Sequence, residues 1–266
     1  MRILIRTSRL ATWARRFGSF ALPLAVIPVP LHRAAIINSD TFVLIETLAM
    51  GLAGLALLVG LAGLVRLWAT GDRGWNRAIA GVILGGICLS PIAYGSYMAT
   101  RYPLIDDVTT SPVTPIELQR VADEPLENTV SPTDILAAFP DITARQYPVG
   151  VNETYRLIHD LVRQRGWEII RNDPPDLEMA DGQINALAMT LLGWRDEIAI
   201  QVTGGQASAR VDMRSASLAA HGTDLGRNGT RIEVFLRDLD AAVADDISNI
   251  PAADAPPVPA FSESVR

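Results

Sequence analysis

Apolar and polar positions along this chain follow two different patterns. From Thr47 to Val65 run 19 residues without a charge, and the stretch reaches back to Thr41 if Glu46 is included. A second uncharged stretch of 23 residues runs from Ala78 to Thr100. At about 1.5 Å of rise per residue, each is long enough to cross a hydrocarbon core of roughly 30 Å as a helix. Phe17–Ile37 is also largely apolar, but Pro23, Pro28 and Pro30 each remove a backbone donor from it. No small-x-small cleavage site follows, so this segment is expected to be retained as a span rather than removed as a signal sequence. The pattern predicts a transmembrane anchor over 1–100, with spans at about 17–37, 41–67 and 76–100.

Beyond Tyr102 the long apolar runs stop. Residues 101–150 carry prolines at 103, 112, 115, 125, 132, 140 and 148, and read as an extended, Pro-containing lead-in that wraps over a domain. Asn152–Arg165 reads as a helix with Tyr155, Ile158, Leu161 and Val162 on one face, and Gly166 supplies a left-handed exit. Trp167–Arg171 and Gln183–Met189 read as strands. Ile198, Ile200 and Val202 then alternate with Glu197, Ala199, Gln201 and Thr203, and Ala207, Ala209, Val211 and Met213 alternate with polar partners. If Thr203 pairs with Gln206 across the Gly204-Gly205 turn, Ile198 faces Val211 and the apolar residues share one face. Asp224–Val243 reads as a helix with Ile232, Phe235, Leu236, Leu239 and Val243 in one stripe. The expected fold is an α+β soluble domain over 151–245. It has an antiparallel four-stranded sheet with two covering helices on one side and water on the other. Residues 246–266 are Pro/Ala-rich and read as a disordered tail.

Charge sharpens this division. The net −6 of the 266 residues hides nine arginines against three acids in residues 1–100, and fourteen arginines against twenty-six acids in residues 101–266. Arg2, Arg6, Arg9, Arg15 and Arg16 precede the first apolar segment, and Arg66, Arg73 and Arg77 flank the loop between the two long runs. The positive-inside tendency puts both on the cytoplasmic side. That predicts three crossings, a cytoplasmic N-terminus and an extracytoplasmic C-terminal domain on a bacterial inner membrane. Glu46, the sole acid within a span, is expected near the outer end, in water or paired with Arg33. The acidic rear half excludes nucleic acid as a partner, and the lipid bilayer is the expected one. All 23 basic residues are arginine, so lysine Schiff-base and P-loop lysine chemistry are excluded. The three histidines show no metal-ligand spacing, so no metal and no cofactor is expected.

Three motifs carry a resemblance. Ile105-Asp106-Asp107-Val108-Thr109-Thr110, Asp212-Met213-Arg214-Ser215-Ala216-Ser217 and Asp224-Leu225-Gly226-Arg227-Asn228-x-x-Arg231-Ile232 occur in order. They resemble the signature of the bacterial and plastid family called domain of unknown function 1499, over roughly 101–240. The multi-span front half resembles an architecture that recurs in its alphaproteobacterial members. Ser111 and Leu218 stand where the family often has an acid and an arginine. The resemblance implies a fold unit and no reaction.

The chemistry of these motifs allows two uses. Arg214, Ser215, Ser217, Arg227, Asn228 and Arg231, around a helix N-terminus, form a candidate site for a carboxylate, phosphate or lipid headgroup. Alternatively Arg214 or Arg231 pairs internally with Asp106 or Asp107 while Asp224 caps the helix, pinning the lead-in to the sheet. Asp212, Ser215, Ser217, His221 and Asp224 also contain the letters of a hydrolytic triad, but no strained G-x-S-x-G elbow surrounds either serine. The leading expectation is a non-enzymatic, extracytoplasmic binding or envelope-associated module, with an anionic ligand or envelope protein as partner. A membrane-bound hydrolase using 212–231 and a cytoplasmic-facing partner module are the alternatives.

Overall fold

A computed structural model describes residues 6–120, 131–176, 181–218 and 223–249. His221 and residues 250–266 lie outside the described residues, while residues 246–249, expected to begin a disordered tail, continue the last helix instead. The chain divides into two compact units. The first holds the chain up to Ile105, together with Met189–Arg195 and 223–226; the second holds the remainder.

The first unit is a helical bundle. Helix α1 (Arg9–Val26) starts where the Ser8 hydroxyl accepts the amide of Ala11, eight residues ahead of the apolar run. It ends at Ile27, because Pro28 and Pro30 supply no amide to continue it, and a short α2 (Pro28–Arg33) follows. Helix α3 (Ser39–Thr70) is capped by the Asn38 side chain and closes on Gly71 in the left-handed region (φ 69°). Helix α4 (Trp75–Ala99) completes the bundle. Two of these helices, α3 and α4, are long and apolar enough to cross a membrane.

Clusters at both ends fix how the helices run. Ala11, Leu67 and Ala78 pack at one end, and Ala21, Ala53 and Cys88 toward the other. So α1 and α4 run one way and α3 runs back between them. The seams are built from small residues: Ala11, Ala14, Gly18 and Ala21 on α1, Ala49, Ala53, Ala56 and Gly60 on α3, and Ala78, Gly81 and Gly85 on α4. A Cβ added at Gly81 would sit 2.6 Å from the Ala14 carbonyl carbon, and one at Gly85 would sit 2.7 Å from the Ala53 oxygen. The G-x-x-x-G and A-x-x-x-A spacings therefore serve close packing within one chain. Large apolar side chains such as Phe20, Leu44, Leu58, Val65, Ile83 and Ile87 face outward.

The second unit is a mixed helix-and-sheet fold. Its strands are β1 (Asp107–Thr109), β2 (Arg145–Tyr147), β3 (Glu168–Asp173), β4 (Gly182–Met189), β5 (Arg195–Gly204) and β6 (Ala209–Ser217). Their order is β1-β6-β5-β4-β3, with β2 also on β6. The sheet has six strands rather than the four expected. The two additional strands come from the Pro-containing lead-in, where three-residue segments give no readable alternation. They pair antiparallel end to end along one edge of β6, β1 against Arg214–Ala216 and β2 against Ala209–Val211, and so cover an edge that would otherwise be open to pairing.

The β5–β6 register also differs from the expectation. Ile198 opposes Ser215, Ile200 opposes Met213 and Val202 opposes Val211. Gly204 (φ 144°) pairs with Ala209, and the Gly205 amide donates to the Ser208 carbonyl at 2.9 Å, so the loop holds four residues. Each pairing moves by an even number of positions, so every side chain keeps its face.

Helices α6 (Val151–Gln164) and α7 (Arg227–Asn249) pack on each other and on β6, with a short α5 (Pro132–Ala138) earlier in the chain. The core joins Ile158 and Val162 of α6, Ile232, Phe235, Leu236 and Leu239 of α7, and Ile198, Ile200, Val211 and Met213 of the sheet. The opposite face was expected to meet water, yet Glu197, Ala199 and Asp212 on it are buried. The chain from Thr110 to Arg120 crosses there: Arg214 reaches the Ile116 carbonyl (2.7 Å), and Glu197 accepts the amides of Gln119 (2.6 Å) and Arg120 (2.7 Å).

Candidate functional site

Strand β6 puts alternate residues on opposite faces of the sheet. Ser215 and Ser217 face the helices, while Asp212 and Arg214 face the crossing segment. The sequence-selected residues thus fall into two groups.

The helix-side group centres on a carboxylate that the motifs do not contain. Asp196, fully buried, accepts from Arg227 (Nε 3.0 Å and Nη2 3.2 Å) and from Arg231 (Nη2 2.5 Å). Arg227 and Arg231 lie one turn apart on α7 and so share a face. Arg231 Nη1 also donates to Ser215 Oγ (2.8 Å) and Asn228 Oδ1 (2.6 Å). Ser215 Oγ donates to Asn228 Oδ1 (2.8 Å), and Asn228 Nδ2 donates to the Asp106 carbonyl (2.8 Å) and to Ser217 Oγ (3.2 Å). Residues Ser215, Ser217, Arg227, Asn228 and Arg231 therefore meet in one network closed by the chain's own carboxylate. Such a buried ion pair is held by geometry rather than by net Coulomb gain, since desolvation offsets much of the attraction.

The opposite group joins the lead-in to β6. Arg214 grips Asp107 with Nε (3.0 Å) and Nη2 (2.5 Å), a bidentate arrangement. Thr110 Oγ1 donates to Asp212 Oδ1 (3.1 Å) and accepts the Met213 amide (2.9 Å). Arg210 pairs with the other side of Asp212 (2.7 Å), and that hydrogen bond raises the Arg210 pKa. Glu197 also accepts from Asn185 Nδ2 at 3.0 Å.

Asp106 is buried with its backbone oxygen accepting from Asn228 and from the Ser217 amide (2.9 Å). Asp224 belongs to the helical unit. Its amide donates to the Ile105 carbonyl (3.0 Å), and its Oδ1 accepts the Gly226 amide (2.8 Å) in an Asx-turn. Leu225 (φ 57°) and Gly226 (φ 81°) both lie in the left-handed region, which is why α7 starts at Arg227 rather than Asp224. The Tyr102 ring lies directly against Gly226, leaving no room for a Cβ.

Hydrolytic chemistry needs a serine beside a base. Ser215 is fully buried and its proton goes to an amide oxygen, which has no basic strength. Among the described residues no histidine or carboxylate contacts Ser215 or Ser217, and no group of three or more His, Cys, Asp or Glu side chains converges as metal ligands. A surface recess of about 430 Å³ lies elsewhere, at the hairpin end of the sheet between Gln146–Pro148, Thr203–Gly204 and Ser208–Arg210. Beside it Tyr147 donates to Asp240 Oδ1 (2.7 Å), and burial first, then that carboxylate, pushes the phenol pKa upward. Tyr155 is pushed up to about 12, mainly by burial, and donates to Asn172 (2.8 Å).

Sequence reasoning missed Asp196. The signal was present, because extending the alternation of Ile198, Ile200 and Val202 back by two residues places Asp196 on the helix-facing side.

No curated protein and no solved structure matches the chain. The family described as Protein of unknown function (DUF1499) matches residues 107–239, half of the 266. That span contains Asp107, Arg214, Ser215, Asn228 and Arg231, the residues that tie β1, β6 and α7 together, and the chain belongs to this family.

Proposed function

We propose that the chain is a bacterial inner-membrane protein with three crossings and a cytoplasmic N-terminus. Its helix-and-sheet unit serves outside the cytoplasm as a non-enzymatic binding or envelope-associated module. The observation that carries the orientation is the gathering of basic residues at one end of the bundle. The Ser8 amide donates to the Arg73 carbonyl (2.9 Å) and the Arg73 amide to the Arg6 carbonyl (3.0 Å). Arg77 reaches Thr12 (3.2 Å) from the same end. The N-terminal arginines and the α3–α4 loop therefore lie together, as positive charge retained on one side of a membrane would be. Helix α1 runs alongside α3 and α4 from Ala11 to Ala21, which supports counting it as a crossing.

A binding role is supported by the site chemistry. The serines are engaged with amide and guanidinium groups, and the Arg227 side chain stays partly exposed where it pairs with the buried Asp196. An anionic group, whether a carboxylate or a lipid phosphate, would approach there. Fusions of alkaline phosphatase and of a fluorescent protein after Arg266 test the arrangement. Phosphatase activity without fluorescence is expected. Fluorescence alone would establish the cytoplasmic-facing alternative.

A further inference from the structure

The turn between β4 and β5 is unusual in composition. Turn tips are ordinarily polar or Gly/Pro-rich, but here Thr190-Leu191-Leu192-Gly193-Trp194 carries no charge, and the nearest charges along the chain are Asp181 and Arg195. Met189–Arg195 belongs to the helical unit. Leu191 is 81% exposed, Leu192 43% and Ile36, in the α2–α3 connection, 68%.

The backbone of this turn is supplied with partners from inside the unit. Arg33 Nη1 donates to the carbonyls of Thr190 and Leu191, and His32 Nδ1 bonds the Leu192 carbonyl at 2.6 Å. The Thr190 amide donates to the Trp194 carbonyl (2.8 Å), and the Gly193 amide to the Thr190 carbonyl (3.1 Å). Gly193 (φ 93°) lies so close to His32 that an added Cβ would be 2.8 Å from Nδ1. The His32 ring is sandwiched by stacking on Phe42 (4.6 Å between centroids) and by the edge-on Trp194 ring (4.8 Å). Four successive requirements of an irregular segment in lipid are met here. The carbonyls of Thr190, Leu191, Leu192 and Trp194 are paired, the tip is apolar, an aromatic ring flanks it, and an arginine stem reaches along it. Water would satisfy those carbonyls without Arg33 or His32, and would disfavour the adjacent leucines.

We propose that this turn is a lipid-inserting loop, with Leu191, Leu192 and Ile36 entering the interfacial layer of the bilayer beside the start of α3. This rests on the membrane reading of the bundle and adds a second lipid contact to it. On α3 of the same unit, Val43, Leu44 and Leu48 also face outward.

The test uses the full chain with Cys88→Ala, reconstituted in phosphatidylcholine–phosphatidylglycerol vesicles. A nitroxide is attached through Leu191→Cys, and Met189→Cys serves as a second position in case the first disturbs the turn. Leu58→Cys on α3 and Val234→Cys on α7 are the references. Power saturation with oxygen and with a water-soluble nickel chelate gives an accessibility ratio for each site. The turn positions are expected to show an oxygen-to-nickel ratio severalfold above that of position 234 and on the side of position 58. A ratio at 191 and 189 equal to that at 234, with 58 still in lipid, would overturn the loop proposal alone. If position 58 also reports water, the membrane reading falls and the loop with it.

Discussion

The two units bury opposite kinds of residue. In the helix-and-sheet unit many of the fully buried side chains are large, among them Phe139, Phe235, Ile158, Ile198, Ile200, Met213, Ile232, Leu236 and Leu239. In the bundle, Phe42 and Leu67 are the large apolar side chains buried on α3, while the contacts between helices run mostly through alanine and glycine and leucines such as Leu44, Leu48, Leu55, Leu58 and Leu61 face outward. The same apolar residue types are used in both, with inside and outside exchanged. A water-soluble unit gains by removing large apolar surface from solvent. Helices surrounded by lipid gain nothing from that transfer and associate by close backbone approach. The packing of the bundle matches the second case and that of the helix-and-sheet unit the first, which supports the proposed membrane placement.

The largest expected effect probes the helix-and-sheet unit at its polar centre. Asp196→Ala leaves Arg231, and with it Ser215 and Asn228, around a missing carboxylate. It should cost about 3–5 kcal/mol of that unit's stability, read as a lower denaturation midpoint of the full chain in detergent. Asp196→Asn, which keeps the shape, should cost less. An unchanged midpoint would mean that the network does not hold β5 to α7. Close behind comes a paired comparison. Leu236→Ala, in the core, should cost about 2–5 kcal/mol, whereas Leu58→Ala on the bundle exterior should change stability by no more than about 0.5 kcal/mol. Equal costs would erase the inside-out distinction. Gly81→Leu should separate α1 from α4 and cost about 1–3 kcal/mol in the bundle, leaving the sheet's circular dichroism unchanged.

The smallest effect is alkaline. Tyr147 and Tyr155 have pKa values raised above the ordinary 10.0, so the fold favours their neutral forms. Their contribution is complete below pH 10.0 and is lost as pH rises from there toward about 12, where Tyr155 ionises in the folded chain. Phenolate absorbance from Tyr155 should appear only toward about pH 12, later than that of an exposed tyrosine, unless the sheet opens first. Tyr147→Phe should make the alkaline loss shallower.

Elements with sustained periodicity were legible in the sequence. The stripe of α7, the face of α6 and the alternation of β5 and β6 each span enough residues for a period to show. Strands β1 and β2 did not, because three residues carry no period and their pairing is decided by the edge of β6. The start of α7 was misread because Asp224 satisfies capping rules locally, whereas the left-handed Leu225 and Gly226 delay the helix. The burial of Glu197 was hidden because a charged residue in an alternating strand reads as solvent-facing until another segment is seen to cover it. In the site, the motif letters Ser215, Asn228 and Arg231 were visible. Their shared partner Asp196 lies outside every motif and is joined to them only by tertiary structure.

The most direct test of the account asks where each unit lies. Single cysteines at Asp72→Cys, in the α3–α4 loop, and at Val234→Cys, on α7, in the Cys88→Ala chain, are exposed to a membrane-impermeant maleimide on intact bacterial spheroplasts. The account predicts labelling of position 234 before lysis and of position 72 only after it. Labelling of 72 in intact cells with protection of 234, or equal labelling of both before lysis, would contradict it.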